Sequence, residues 1–264
     1  MYLFRHFLLF LGLSGLPACQ SGLDDPPLVV TVEPEFTLDA YEQRDSSNGL
    51  ATRGLWVESR QKYDCAGYHI LSEVRKIGQQ IEVELLDVQR PADCTGLPSV
   101  ASQFVPLGQL AAGSYPFRLT LGKTLVNEGT ITVENDRFSL TILQPQGIEI
   151  QNFTAQHLPD ALLWGYVAVP DEAANTAAHN FITDLKAITS EAILPPGFYS
   201  YFTVTGTGEV FFHSSIAPTV PVFLFVRKLT VSPTELKNLL QDYRAVGSQQ
   251  EPLTVRCFSS FGEL

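Results

Sequence analysis

Four cysteines and five histidines are the residues best suited to nucleophilic or metal chemistry. The histidines are scattered, and no C-x-x-C, H-x-x-x-H or H-E-x-x-H spacing of metal ligands occurs. The sequence also lacks a G-x-S-x-G nucleophile elbow, a phosphate-binding loop and a G-x-G-x-x-G fingerprint. It therefore predicts no catalytic residues, no metal site and no cofactor, although a site assembled only in three dimensions leaves no linear signature.

Composition predicts a folded, acidic protein. The chain has 264 residues, of which 45% are hydrophobic and 17% charged, and this balance favours one large or two small globular domains. The formal net charge of −11 argues against a nucleic-acid partner, which would be held through basic side chains on phosphates. No apolar run reaches the length of about 18 residues that a membrane-spanning helix needs.

The first eighteen residues have the pattern of a signal peptide. Arg5 and His6 form a short basic region, and the apolar stretch 7–18 is too short to span a bilayer. Residues 16–19 (LPAC) resemble the lipobox of bacterial lipoproteins, in which the cysteine receives lipid after cleavage. The resemblance implies lipid attachment at Cys19, and two or more acyl chains are enough for stable membrane anchoring. An ordinary secretory signal is the alternative.

A polar tether is expected between this cysteine and the first domain, over residues 19–28. Gln20, which follows the cysteine, is typical of outer-membrane lipoproteins within that family. Residues 20–25 (QSGLDD) also resemble the acidic export tether of surface lipoproteins in Bacteroidota-type bacteria. The resemblances imply a protein bound to the outer membrane, and they leave open whether it faces the periplasm or the cell surface.

The other cysteines are expected to be structural. Cys65 and Cys94 lie in turn-like, glycine-containing segments beside strand-like ones, and an exported compartment permits disulfides, so we predict a bridge between them. Cys257 lies in the apolar strand pattern 253–259, which predicts a buried, inert free thiol.

The first domain, residues 29–143, is predicted to be an antiparallel immunoglobulin-like β-sandwich. Short strand-like segments recur between turn residues, and the segment 80–88 alternates buried and polar positions as a half-buried strand does. Residues 110–119 resemble the turn-and-strand of bacterial immunoglobulin-like modules. The eight expected strands are 28–32, 54–60, 68–75, 80–88, 103–107, 115–121, 129–133 and 138–143.

The second domain, residues 144–264, is predicted to be a small α+β domain of order β-α-β-β-β-α-β. That order has one strand more than the ferredoxin-like motif. Asp171 is expected to cap a helix to about Thr189, and Ser232 with Glu235 forms a capping box for a second helix. Residues 222–226 are apolar throughout, which predicts a strand buried on both faces. With the helices on one face, the sandwich or a second copy must cover the other, which leaves a homodimer open.

Tyr199 and Tyr201 are the candidate contact residues. Along the expected strand 198–205 they alternate with Phe198, Phe202 and Val204, which would face the helices. The two tyrosines would then lie on the open face and contact a ligand or partner, or pack at the seam between the domains.

Taken together, these patterns favour a lipid-anchored envelope protein that acts as a non-enzymatic binding or accessory module for a protein or glycan ligand. An envelope hydrolase with a site formed only in three dimensions is one alternative. A structural component of an envelope complex is the other.

Overall fold

The computed structural model describes residues 32–45, 49–213, 221–244 and 253–261. The predicted signal peptide, Cys19 and the tether lie outside these ranges, as does most of the strand expected at 28–32. Val32 to Leu264 form one compact unit. Within the described ranges, neither helix has the length and apolar character needed to cross a membrane.

The described residues are mostly β, as predicted. The strands up to residue 143 are β1 (Phe36–Arg44), β2 (Ala51–Tyr63), β3 (His69–Ile77), β4 (Gln80–Gln89), β5 (Ser99–Pro106), β6 (Gly113–Leu121), β7 (Leu125–Val133) and β8 (Arg137–Ile142). Then follow β9 (Ile148–Asn152), β10 (Thr154–Gln156), β11 (Leu162–Ala168), α1 (Glu172–Ala187), β12 (Thr189–Glu191), β13 (Gly197–Phe198), β14 (Phe202–Val204), β15 (Val210–Phe212), β16 (Val222–Leu229), α2 (Pro233–Arg244) and β17 (Val255–Ser259).

Two sheets enclose the largest hydrophobic core. The first sheet has the order β5-β2-β1-β9, and the second runs β15-β14-β13-β10-β8-β7-β6-β4-β3. Inward residues of both, such as Leu38, Val57, Ile81 and Leu119, are almost completely buried. The alternation expected for residues 80–88 is confirmed, with Ile81, Val83 and Leu85 on the core face.

The predicted antiparallel sandwich is not antiparallel throughout. β4 pairs with β6 in parallel, because the intervening β5 leaves this sheet and joins β2 in the other. β1 also pairs in parallel with β9. Strand pairing crosses the expected domain boundary at residues 143/144, since β9 joins β1, and β10 joins β8.

The third sheet carries the two helices. Its order is β12-β16-β11-β17, with every pair antiparallel, and a separate core joins it to α1 and α2. Both helix starts are confirmed. Asp171 accepts a hydrogen bond from the Ala174 amide at 2.7 Å, and Ser232 Oγ accepts one from the Glu235 amide at 3.3 Å.

The expected continuous strand at 198–205 is instead a tight hairpin. β13 ends at Phe198 and β14 begins at Phe202, with Ser200 between them at a φ of 64°. This left-handed conformation is uncommon for a non-glycine residue, and it reverses the chain where simple alternation predicts extension. The predicted faces of this segment are therefore wrong: Phe198 packs in the sandwich core, and Phe202 in a small core with Tyr199.

The predicted Cys65–Cys94 disulfide is confirmed. It links the loop after β2 to the loop before β5, where the Ala66 amide also donates to the Thr95 carbonyl at 3.2 Å. The bridge therefore closes one end of the sandwich.

Replacing Cys65 and Cys94 together with serine should lower the free energy of unfolding by about 3–4 kcal/mol, because the bridge restricts the unfolded chain over 29 residues. Urea denaturation under oxidising conditions measures this loss. Cys257→Ala is the control that removes only the free thiol. A loss no larger than that of the control would contradict a stabilising role for the bridge.

Candidate functional site

A cleft of about 1060 Å³ separates the outward face of the first sheet from the face of the third sheet that the helices leave uncovered. It is large enough for a drug-sized ligand. The hairpin between β13 and β14 lies at its base, and residues 67–69, which follow the Cys65 turn, line it together with residues of β5.

The first wall follows from strand alternation. On β1, Leu38 and Ala40 point into the sandwich core, so Asp39 and Tyr41 point outward. On β2, Trp56 and Glu58 face outward in the same way. Asp39 lies directly opposite Trp56 in the register, so these four side chains form one continuous patch.

The second wall is the outer face of the third sheet. Its lining side chains alternate with those that pack on the helices, and they are Trp164, Tyr166, Val222, Leu224 and Phe258. The prediction that residues 222–226 are buried on both faces is wrong, because Leu224 is 47% exposed whereas Phe225 is buried against the helices. The outer face lines a cleft rather than a core, and this leaves its apolar side chains partly open to solvent.

Five aromatic rings form a row from one wall to the other. Trp56 lies 5.4 Å from Tyr41 between ring centroids, and Tyr41 lies 5.7 Å from Tyr201. Tyr201 is 5.0 Å from Trp164, which stacks with Phe258 at 6.2 Å. These separations are in the range of favourable aromatic pairs, so the row is a continuous packed surface.

The two candidate tyrosines have different surroundings. Tyr199 is 2% exposed; its ring stacks on Phe202 at 5.2 Å, and its hydroxyl donates to the Pro195 carbonyl at 2.8 Å. Burial raises the pKa of Tyr199 to about 12. Tyr201 lines the cleft, whereas Tyr199 belongs to the small core behind it.

Tyr201 is held in place by the edge of β1. The Arg44 amide donates to the Tyr201 hydroxyl at 3.1 Å, and the Glu42 amide donates to Ser200 Oγ at 2.8 Å. Both hydrogen bonds join the hairpin to the strand that carries Asp39 and Tyr41. The hairpin and the first wall are thus fixed relative to each other.

A buried ionic cluster lies beneath this junction. Glu42 and Arg44 have side chains 2% and 8% exposed, and their Oε1 and Nε atoms are 3.2 Å apart. The second Glu42 oxygen is 2.6 Å from His157 Nδ1, and the Leu158 amide donates to the carboxylate at 3.3 Å. A buried carboxylate needs such partners, since an unpaired charge in this position is strongly unfavourable.

The cleft is acidic. Of the described residues that line it, Asp39 and Glu58 are the carboxylates, and none is a lysine or arginine. Burial, and to a smaller extent the charge of Glu58, raises the pKa of Asp39, although two hydrogen bonds of 2.9 Å from Asn152 oppose the shift. Burial lowers the pKa of His213, whose ring stacks on Phe198 at 4.8 Å.

Neither Cys257 nor the disulfide-bonded pair Cys65 and Cys94 offers a reactive thiol to the cleft. Burial raises the pKa of the free Cys257 thiol to about 12, which keeps it protonated at neutral pH, and it does not line the cleft. Asp64 lies near the sulfurs of Cys65 and Cys94, but the disulfide removes the thiolates that a metal would need.

Models of known protein families gave no match, and neither curated proteins nor solved structures did so.

Sequence reasoning missed most of the cleft. The β1 segment carries Asp39, Glu42 and Arg44 among its apolar residues, and these charges obscured the strand. Trp56 and Glu58 lie in a strand that was predicted, and their outward direction follows from its alternation with Leu55 and Val57. This face lies opposite the third sheet because strands distant in sequence pair with one another, and local sequence patterns do not predict such pairing.

Replacing Glu42 with glutamine should lower the free energy of unfolding by about 3–5 kcal/mol, because the buried Arg44 guanidinium would lose its counter-charge. Chemical denaturation measures the effect. Gln43→Ala, at the exposed neighbouring position, is the matched control and should change stability by less than about 0.5 kcal/mol. Equal effects of the two substitutions would contradict the ionic cluster.

Proposed function

We propose that this protein is a lipid-anchored protein of the outer membrane that binds a ligand in the cleft between its first and third sheets. The resemblance of residues 16–19 to a lipobox and the polar pattern of residues 19–28 support the anchoring. The row of aromatic rings across the base of a 1060 Å³ cleft is the observation that carries the binding function. Such a row offers a large, rigid apolar surface with polar groups at its margins.

Binding without catalysis fits the polar groups of the cleft. Ser200 Oγ accepts a hydrogen bond from the Glu42 amide, and this contact holds the hairpin against β1. Thr203, which lies 2.5 Å from His213 Nε2 through its hydroxyl, is not among the lining residues. Of the described lining residues, none therefore forms a nucleophile–base pair directed into the cleft.

We also propose a finer interpretation of the fold. An immunoglobulin-like sandwich is supported by the two facing sheets around the largest core. A ferredoxin-like unit is supported by the antiparallel order β12-β16-β11-β17 with α1 and α2 as the crossing connections. The extra strands β13 to β15 are then an insertion that supplies the hairpin at the base of the cleft.

An envelope hydrolase is the second candidate, and one feature favours it. Asp39 and Glu58 are diagonal neighbours on adjacent strands, and the raised pKa of Asp39 suits a general acid. The hydrolase and the binding module are distinguished by incubating a bound ligand with the protein for a long time and then analysing the ligand by mass spectrometry. Products formed by the wild type and lost in Asp39→Asn would favour the hydrolase, whereas recovery of intact ligand favours the binding module.

Replacing Cys19 with serine should release the protein from the membrane, because no acyl chain can then be attached. Detergent phase partitioning of bacterial extracts measures this. We expect the wild type in the detergent phase and the variant in the aqueous phase. Cys257→Ser is the control and should partition like the wild type. Retention of the Cys19 variant in the detergent phase would contradict the lipid anchor.

Ligand entry should change the tryptophan fluorescence, since both tryptophans of the chain, Trp56 and Trp164, line the cleft. A panel of envelope glycans and small organic amines is titrated into the purified protein. Replacing Tyr201 with alanine should weaken any binding at least about tenfold by interrupting the aromatic row. Tyr115→Ala, a tyrosine outside the cleft, is the matched control. Equal binding by both variants would contradict the proposed site.

A further inference from the structure

The charge of the cleft restricts what it can hold. Asp39 and Glu58 repel one another across β1 and β2, and none of the described lining residues is a lysine or arginine. His213 is the basic group that acts on Asp39, and burial lowers the pKa of its ring, which weakens this compensation. Asp39 Oδ1 accepts both hydrogen bonds from Asn152, and Oδ2 accepts none from the residues that the structure describes. A positively charged ligand would supply the missing compensation.

Aromatic faces lie beside these carboxylates. Tyr41 is two residues from Asp39 on the same face of β1, and Trp56 is two residues from Glu58 on the same face of β2. The indole of Trp56 donates to Glu58 Oε1 at 2.9 Å, which fixes the ring next to the carboxylate. Carboxylates next to aromatic faces attract organic cations through direct charge and through the ring quadrupoles.

A neutral glycan fits this arrangement less well. A sugar would stack on the rings and bond to the carboxylates, but it would leave their charge repulsion in place. An anionic ligand would add to that repulsion. Of the ligand classes that suit an aromatic cleft, the cation is the one for which both the charges and the rings are favourable.

We propose, on the basis of the binding function above, that the natural ligand carries an ammonium or quaternary ammonium group. This group lies against the rings of Tyr41 and Trp56, with the carboxylates of Asp39 and Glu58 as its counter-charges. The remaining volume toward Trp164 and Phe258 accommodates the rest of the ligand.

Choline and its neutral carbon analogue 3,3-dimethylbutan-1-ol test the proposal, because they have nearly the same shape and differ in charge. Each is titrated into the purified protein, with tryptophan fluorescence as the readout and calorimetry as a second one. Choline should bind at least about tenfold more tightly than the alcohol. Equal affinities, or tighter binding of the alcohol, would overturn the proposal.

The double variant Asp39→Asn with Glu58→Gln should remove this preference and leave the alcohol's affinity unchanged. The control variant, Glu128→Gln with Asp160→Asn, lowers the net negative charge by the same amount at two exposed positions outside the cleft. It should retain the preference for choline. Loss of the preference in both variants would indicate attraction by overall charge and would overturn a specific site.

The pH dependence gives a readout that needs no substitution. Choline is charged at every pH, so only protein groups titrate, and Asp39 is faced by Glu58, His213 and Tyr41. Affinity for choline should fall as the pH is lowered through the pKa of Asp39, which lies above its ordinary value. The alcohol's affinity should stay constant. A choline affinity that is constant with pH would overturn the role of the carboxylates.

Failure of this proposal is distinguishable from failure of the binding function. If envelope glycans change the tryptophan fluorescence and choline does not, the cation assignment is overturned and the cleft remains a binding site. If neither cations nor glycans bind, both proposals fall.

Discussion

The open edge of β1 is the constraint on which the cleft depends. Beyond Asp39, this edge has no strand partner in the described part of the chain, so the amides of Glu42 and Arg44 need other acceptors. The hydroxyl oxygens of Ser200 and Tyr201 provide them. A buried amide left without an acceptor costs about 1–3 kcal/mol, and this cost favours the one position of the hairpin in which both are satisfied.

The geometry of the hairpin explains the arrangement of the aromatic rings. To bring both hydroxyls to one strand edge, the chain reverses at Ser200 in a left-handed conformation. The reversal buries Tyr199 and turns Tyr201 into the cleft, where its ring lies between Tyr41 and Trp164. The same contacts therefore join the two walls and build the apolar base on which a ligand would lie. In the proposed function, the carboxylates of Asp39 and Glu58 in the first wall would favour a cationic ligand.

Local patterns in the sequence predicted the local structure. Both helix starts and the half-buried strand at 80–88 follow from short-range spacing, and the disulfide joins two turns that could be recognised. The β1 strand could not be recognised, because its buried Glu42 depends on Arg44, His157 and the Leu158 amide, of which the last two are distant in sequence. The turn at Ser200 lacks glycine or asparagine and depends on the same long-range contacts.

Amide hydrogen exchange of Glu42 and Arg44, followed residue by residue with NMR, tests the central claim most directly. The account predicts slow exchange at both amides in the wild type. It also predicts that Ser200→Ala accelerates exchange at Glu42, and Tyr201→Phe at Arg44, while the amide of Leu38 stays protected. Fast exchange at Glu42 and Arg44 in the wild type would contradict the claim that the hairpin hydroxyls hold the edge of β1.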